Sequence, residues 1–415
     1  MKKKNETTYI DVLKMLPASL YNEIAAGNNG ETSPEKIKEI KEGNKLTAKD
    51  TEFVRELERI DHKNKSTIEN INEVLKKNEI LGSSTDQQKV NELDKLLENL
   101  PRYNRESTIY TNLHPENVGK DATVNLKEGE ISYEPGYTIG SLSNGKLSGH
   151  ILELSIPPGS EESILTLNDN QLVLRRNVNF KVTGHSIRYD GPKLVHTIRA
   201  DLIPRTQKEK NFDGYGINWV SKLSFDEIRA VNFYTGDGYT PINTDLRNGK
   251  ANSSNNKDAI DLIDSALKKA SLKEGTTVYR TTAEAEFKDF GGFNGFFKDT
   301  FNIDFKELED IKDSATFIIR AAELVNKALN KPYSSKAYTS TGIVKGTVPA
   351  FNTRPIRIEF TVPSGIHGAY IVPISHFPNE KEFLLPRGAH FKVTGASTKE
   401  ENGKLLLEIR AEVLP

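Results

Sequence analysis

The chain has 415 residues, no cysteine, 57 Lys and Arg against 58 Asp and Glu, and a formal net charge of −1. So even a balance, with no long run of one sign, leaves no electrostatic footprint for nucleic acid, and the missing cysteines exclude disulfides, a thiol nucleophile and a thiolate metal site. The eight histidines lack metal-ligand spacing, so no metal is expected, and no apolar run approaches the roughly 20 residues that cross a bilayer.

The opening MKKKNETTYIDVLKMLP is basic but has no apolar segment behind it, so it does not read as a signal peptide. Residues 1–100 are polar with apolar positions recurring at three and four, as in TAKDTEFVRELERIDHKN and QQKVNELDKLLENL, which predicts amphipathic helices. From about residue 107 the texture changes to short alternating runs, HILELSI and NFKV among them, separated by Gly, Pro and Asn; these predict strands. Residues 205–216, RTQKEKNFDGYG, are polar and glycine-bearing and are expected to form a linker. Helices are predicted again over SFDEIRAVNFYTGDGYTPINTDLRNG and DAIDLIDSALKKAS, with GKANSSNN as an exposed connector, and strands return from TTVYR onward.

Residues 180–204, FKVTGHSIRYDGPKLVHTIRADLIP, recur as FKVTGASTKEENGKLLLEIRAEVLP at 391–415, with twelve of twenty-five positions identical and no gap. Such self-similarity marks an internal duplication. The expected architecture is α+β: two tandem copies of one fold over 1–204 and 217–415, each a helical section followed by a mostly antiparallel, two-sheet β-sandwich core. The same offset sets Asp169, Asn170 and Gln171 against Glu380, Lys381 and Glu382, while STIYTNL (107–113) pairs with TTVYRTT (276–282) and sets Thr111 against Arg280. The second copy therefore keeps charges that the first lacks. It also holds about forty extra residues around FKDFGGFNGFFKDT, expected as a loop elaborating a site.

Glu380 and Glu382 are two apart, so in extended chain both side chains leave one face; close carboxylates raise one another's pKa and can divide acid, base and electrostatic work. EKE alone is usually a solvated charge run, but Gln171 in the other copy shows that the fold does not need a carboxylate there. Arg280, at the end of a predicted strand, can hold a phosphate or carboxylate through two parallel hydrogen bonds, or equally make a cross-strand ion pair. Ser340 and Thr341 offer hydroxyls to orient a carboxylate, although both are common in strands. Phe351 and Arg354 suit a flat ring beside a phosphate; a core phenylalanine and a surface arginine is the commoner arrangement. GSLSNGKL (140–147) lacks the Ser or Thr of a P-loop, and GDG (236–238) is too short for a dinucleotide fingerprint.

This ordered set, with YTGDGYTPIN on a preceding helix, resembles the enzymatic component of the binary, actin-modifying mono-ADP-ribosyltransferase toxins of clostridia and bacilli, over nearly the whole chain. The resemblance implies NAD as co-substrate, contacted by Tyr234, Tyr239, Asn243, Arg280, Thr341, Phe351 and Arg354. It makes Ser340 the holder of a catalytic Glu382, and Glu380 with Phe377 the pair that recognises an arginine of host actin. Thr281, Gly342 and Ala337 depart from the family's pattern. The first copy would be a non-catalytic domain docking, through its helical section, on a pore-forming translocation component; the chain would be secreted, monomeric before assembly, and delivered to host cytosol. An NAD glycohydrolase and a non-catalytic carrier-binding protein are the alternatives.

Overall fold

The computed structural model describes residues 34–415 except 78, 80, 114–124, 145–146, 169–170, 254 and 347–348. The basic opening, Asp169, Asn170 and part of the 140–147 segment therefore lie outside the described residues. The chain divides into two compact units, Met1–Lys77 with Leu96–Arg205, and Asn78–Lys95 with Thr206–Pro415.

The helical section comprises α1 (Pro34–Asn44), α2 (Ala48–Glu58), α3 (Thr67–Leu75) and α4 (Ser84–Asn99). Capping boxes at Thr47 with Asp50 and at Ser66 with Glu69 open α2 and α3, satisfying N–H groups that a helix start leaves free. Then come β1 (Ser107–Asn112), β2 (Ile131–Glu134), β3 (Thr138–Gly140), β4 (Gly149–Ile156), β5 (Leu165–Thr166), β6 (Leu172–Leu174), β7 (Val178–Asp190) and β8 (Lys193–Leu202). They pair as a five-stranded sheet, β2-β7-β8-β4-β1, and a three-stranded sheet, β3-β6-β5.

In the second unit α5 (Gln207–Val220), α6 (Phe225–Phe233), α7 (Tyr239–Arg247) and α8 (Lys257–Lys268) precede β9 (Thr276–Thr282). After α9 (Gly292–Phe301) and α10 (Ser314–Lys327) follow β10 (Pro332–Ser334), β11 (Thr339–Gly342), β12 (Ile356–Val362), β13 (Ala369–Tyr370), β14 (Glu382–Leu385), β15 (His390–Glu401) and β16 (Lys404–Leu414). Their order, β10-β15-β16-β12-β9-β11-β14-β13, repeats the first unit strand for strand. The junction between the five- and three-stranded parts is a single residue pair in each, Tyr110 with Ser141 and Tyr279 with Gly342. Both units have one parallel pair, β4 with β8 and β12 with β16, and both break register at the same point, Val182/Gly184 and Val393/Gly395. A bulge kept in place across two copies is inherited backbone geometry.

Two expectations are corrected. Residues 205–216 are no linker: Thr206 and Glu209 form a capping box, and the helix it opens, α5, buries Phe212, Trp219 and Val220. The extra residues of the second copy are mostly helix rather than loop, because they fall at 283–331 between β9 and β10, where α9 and α10 lie. Phe293, Phe296, Phe297 and Phe301 recur at helical spacing and bury one face of α9; Phe297 stacks on Phe305 at 4.1 Å.

Candidate active site

β9, β11, β12 and β14, the turn between α6 and α7 and the loop before β14 surround a cavity of about 1350 Å³ in the second unit. On β11 burial alternates, so Ser340 and Gly342 lie on one face and Thr339 and Thr341 on the other. Gly342 stands directly opposite Glu382, the first residue of β14, and Ser340 hydrogen-bonds the Glu382 carboxylate. Thr341 Oγ1 donates to the Phe383 carbonyl at 2.6 Å, so its hydroxyl ties β14 to β11 beside Glu382.

Glu382 is 5% exposed, and burial pushes its carboxyl up to about 7; Ser340 and Arg280 oppose the rise, while the charge of Glu380 adds to it. Glu380 is half-buried and is also raised, mainly by burial, with Arg354 opposing. Both glutamates line the cavity, though not through extended chain: Pro378–Glu380 is a turn of 3₁₀ helix and Lys381 is left-handed at φ 49°. That reversal re-aims two side chains which a straight strand would have placed together only from β14 onward. At Gly342 a Cβ would stand 3.3 Å from the Glu380 carbonyl oxygen, a tight contact that a small shift of the loop would relieve.

Arg280 on β9 donates from Nη1 to the Ser340 carbonyl at 2.7 Å, and Thr111 Oγ1 donates to the Ile139 carbonyl at 2.7 Å in the first unit. The residue at this position thus has a structural duty after all, joining the two halves of the sheet; arginine adds a positive charge to it. Arg354 lies 3.8 Å over the Phe351 ring and donates to the carbonyl of Thr281, one of the positions that depart from the family's pattern. Glu286, which sequence reasoning missed, accepts from Arg280, from Thr282 Oγ1 at 2.9 Å and from Arg354 at 3.3 Å. Its signal was an acid six residues past Arg280, inside the inserted segment.

Between α6 and α7, Tyr234–Gly238 wind as one π-helical turn, with Gly236 leaving helical backbone. The turn sends Tyr234 into the core and leaves Tyr239 half-exposed at the rim. Asn243 Nδ2 donates to the Tyr234 hydroxyl at 3.0 Å, and Thr235 Oγ1 accepts from the His376 amide at 3.1 Å, joining this turn to the loop that carries exposed Phe377. Asn243 Oδ1 and Arg280 Nε are buried without a hydrogen-bond partner among the described residues. An orphaned acceptor and an orphaned donor beside Arg280, Arg354 and the carboxylates of Glu286, Glu380 and Glu382 suit a polar ligand that brings both donors and acceptors.

Residues 213–415 match the sequence model of the ADP-ribosyltransferase exoenzymes. Over this segment, just under half of the chain, the sequence is similar to that family. The mono-ADP-ribosyltransferase C3 of Clostridium botulinum C phage is 28% identical over 193 residues, 45% of this chain and 70% of that protein. The NAD(+)–arginine ADP-ribosyltransferase EFV of Enterococcus faecalis is 28% identical over 178 residues, 42% of this chain and 30% of that protein. The binary enterotoxin component BECa of C. perfringens, solved with NADH, is 19% identical with a TM-score of 0.40, covering 92% of this chain and 96% of that one. NAD, the co-substrate of such transferases, fits these side chains: Arg280 and Arg354, both now bonded to Glu286, would offer their charge to a pyrophosphate, and Arg280 Nε would gain an acceptor. Among the described residues no helix is long and apolar enough to cross a membrane.

Proposed function

We propose that the second unit transfers ADP-ribose from NAD to an arginine of a host protein, with actin the candidate, and that the first unit docks on a pore-forming component that carries the chain into host cytosol. The observation that carries this reading is Glu382, a buried carboxyl held by Ser340 and flanked by Glu380 in a cavity that also holds Arg280 and Arg354. Cleaving the bond between nicotinamide and ribose develops positive charge on the sugar, as in glycoside hydrolysis, and a fixed carboxylate beside the ribose stabilises that charge as it forms. Glu382 has this role. Glu380 binds the incoming guanidinium and takes its proton, which brings the acceptor within reach of the ribose carbon. A glutamate rather than glutamine at 380 favours arginine as acceptor, as does similarity to a relative named for arginine transfer. Actin and the delivery component rest on the resemblance of the ordered motifs alone.

The first unit repeats the strand order of the second, but Thr111, Ile139 and Gln171 occupy the places of Arg280, Ser340 and Glu382. A fold kept after its charged set is gone suits binding, hence the docking role. Labelled NAD added to the chain with a cell lysate should label one protein on arginine. Glu380→Gln should abolish that transfer while slow NAD hydrolysis persists. NAD consumed by the parent with no labelled protein would instead make it a glycohydrolase, and absence of saturable NAD binding would leave only a carrier-binding protein.

A further inference from the structure

α5, the helix that opens the second unit, grips the catalytic loop from behind. Glu209, Phe212 and Tyr215 recur at three-residue spacing on one of its faces. Tyr215 donates to the Gly368 carbonyl at 2.6 Å, and Phe212 packs edge-on against Phe383, the residue after Glu382, at 5.7 Å. Glu209 divides its carboxylate: Oε2 accepts from the Thr206 amide and hydroxyl, each at 2.7 Å, and Oε1 pairs with the ammonium of Lys381. Lys381 stands between the two site glutamates, and its side chain does not line the cavity that theirs line.

We propose that the Glu209–Lys381 ion pair is a positioning device that sets where Glu380 stands relative to Glu382, and so divides transfer from hydrolysis. This rests on the roles proposed above for the two glutamates. Three features make the pair decisive here. Glu209 is 7% exposed, so its charge is held in a place where water compensates poorly if the lysine is lost. Lys381 is a non-glycine residue in left-handed backbone, a conformation that persists only when the surroundings hold it. Glu382 has other anchors, because Ser340 holds its carboxylate, Ile371 donates to its carbonyl at 3.1 Å and it pairs with Gly342. On the other side the Ile343 amide donates to the Lys381 carbonyl and the Glu380 amide to the Phe377 carbonyl, each at 3.0 Å; these bonds tie the loop to itself and to the end of β11, and the ion pair ties it to α5. Losing the pair therefore displaces Glu380 first.

The test compares Lys381→Met, Lys381→Arg, Glu209→Gln and the Glu209→Gln/Lys381→Met double variant in the full chain. Transfer to protein should fall about 10- to 100-fold in each single neutral variant, as a displacement near 1 Å does at a reacting group, with NAD hydrolysis and the KM for NAD changing less than about threefold. Lys381→Arg should retain transfer, and the double variant should be no worse than either single one, because both remove the same contact. Amide exchange at residues 379–382, read without any dinucleotide, should quicken in both neutral variants and not in Lys381→Arg. Parental transfer or unchanged exchange in Lys381→Met, or losses that add in the double variant, would overturn the proposal. An inactive parent would defeat the reading of the glutamates instead, and the exchange comparison would still decide whether the pair holds the loop.

Discussion

Glu382 is a carboxyl with too little water around it to ionise at its ordinary pH. Its pKa near 7 means that the charge needed to stabilise a sugar cation is only partly present at neutrality in the free protein. The acid limb of kcat/KM for NAD should therefore have its midpoint near 7. Ser340→Ala removes a hydrogen bond that favours the charged form and should move that midpoint upward; a profile that stays in place would show that Ser340 does not hold the carboxylate. Arg280→Thr should separate charge from scaffold, because Thr111 makes the equivalent bond in the first unit. Unfolding free energy should drop by about 1–2 kcal/mol, since threonine can restore the bond to the Ser340 carbonyl and not the ion pair to Glu286, while NAD affinity falls at least tenfold by titration. Glu382 and Arg280 were legible because Gln171 and Thr111 in the other copy show that the fold can spare their charges, and Glu380 because it stands two residues from Glu382. Glu209 was not, since it meets Lys381 across 172 positions and nothing in a capping-box glutamate announces a second partner.

At the scale of elements, the π-helical turn Tyr234–Gly238 is where local backbone chooses ligand geometry. A Cβ on Gly238 would come within 2.7 Å of the carbonyl oxygen and ring of Phe233, a contact that the tight turn cannot relieve by rotating a side chain. Gly238→Ala should cost about 1–3 kcal/mol in thermal unfolding and raise the KM for NAD, since Tyr234 and Asn243 stand on either side of the turn. An unchanged melting temperature would mean that the turn relaxes freely. Strands were read well from sequence wherever period-2 alternation met a turn signal. Helix α5 and the inserted helices were misread for one reason: NFDGYG and FGGFNGFF carry glycines that resemble loop punctuation, while burial of Phe212 and of the phenylalanine face of α9 outweighs the entropy those glycines cost.

Across the whole molecule, each unit carries a buried carboxyl whose pKa departs from its usual value, in opposite directions. In the first, burial alone would raise Glu162, but Arg175 and Arg205 outweigh it and hold the carboxyl below its usual 4.5. A depressed value adds stability above pH 4.5 that is lost as pH falls through the folded value. Glu162→Gln, breaking a pair 3.0 Å from Arg175, should cost the first unit about 3–5 kcal/mol at pH 7 and much less at pH 3, by calorimetry. Glu382 works the other way, its raised value costing stability as pH climbs from 4.5 through about 7, so Glu382→Gln should melt higher than the parent at pH 8 and alike at pH 4. A variant that is folded and more stable yet inactive would place the carboxylate where function outweighs stability. Nicotinamide release from NAD by the Glu382→Gln protein, compared with the parent at pH 8, tests that most directly: release should fall at least about 100-fold, the scale on which removing a stabiliser of developing charge acts, and release at the parental rate would contradict it.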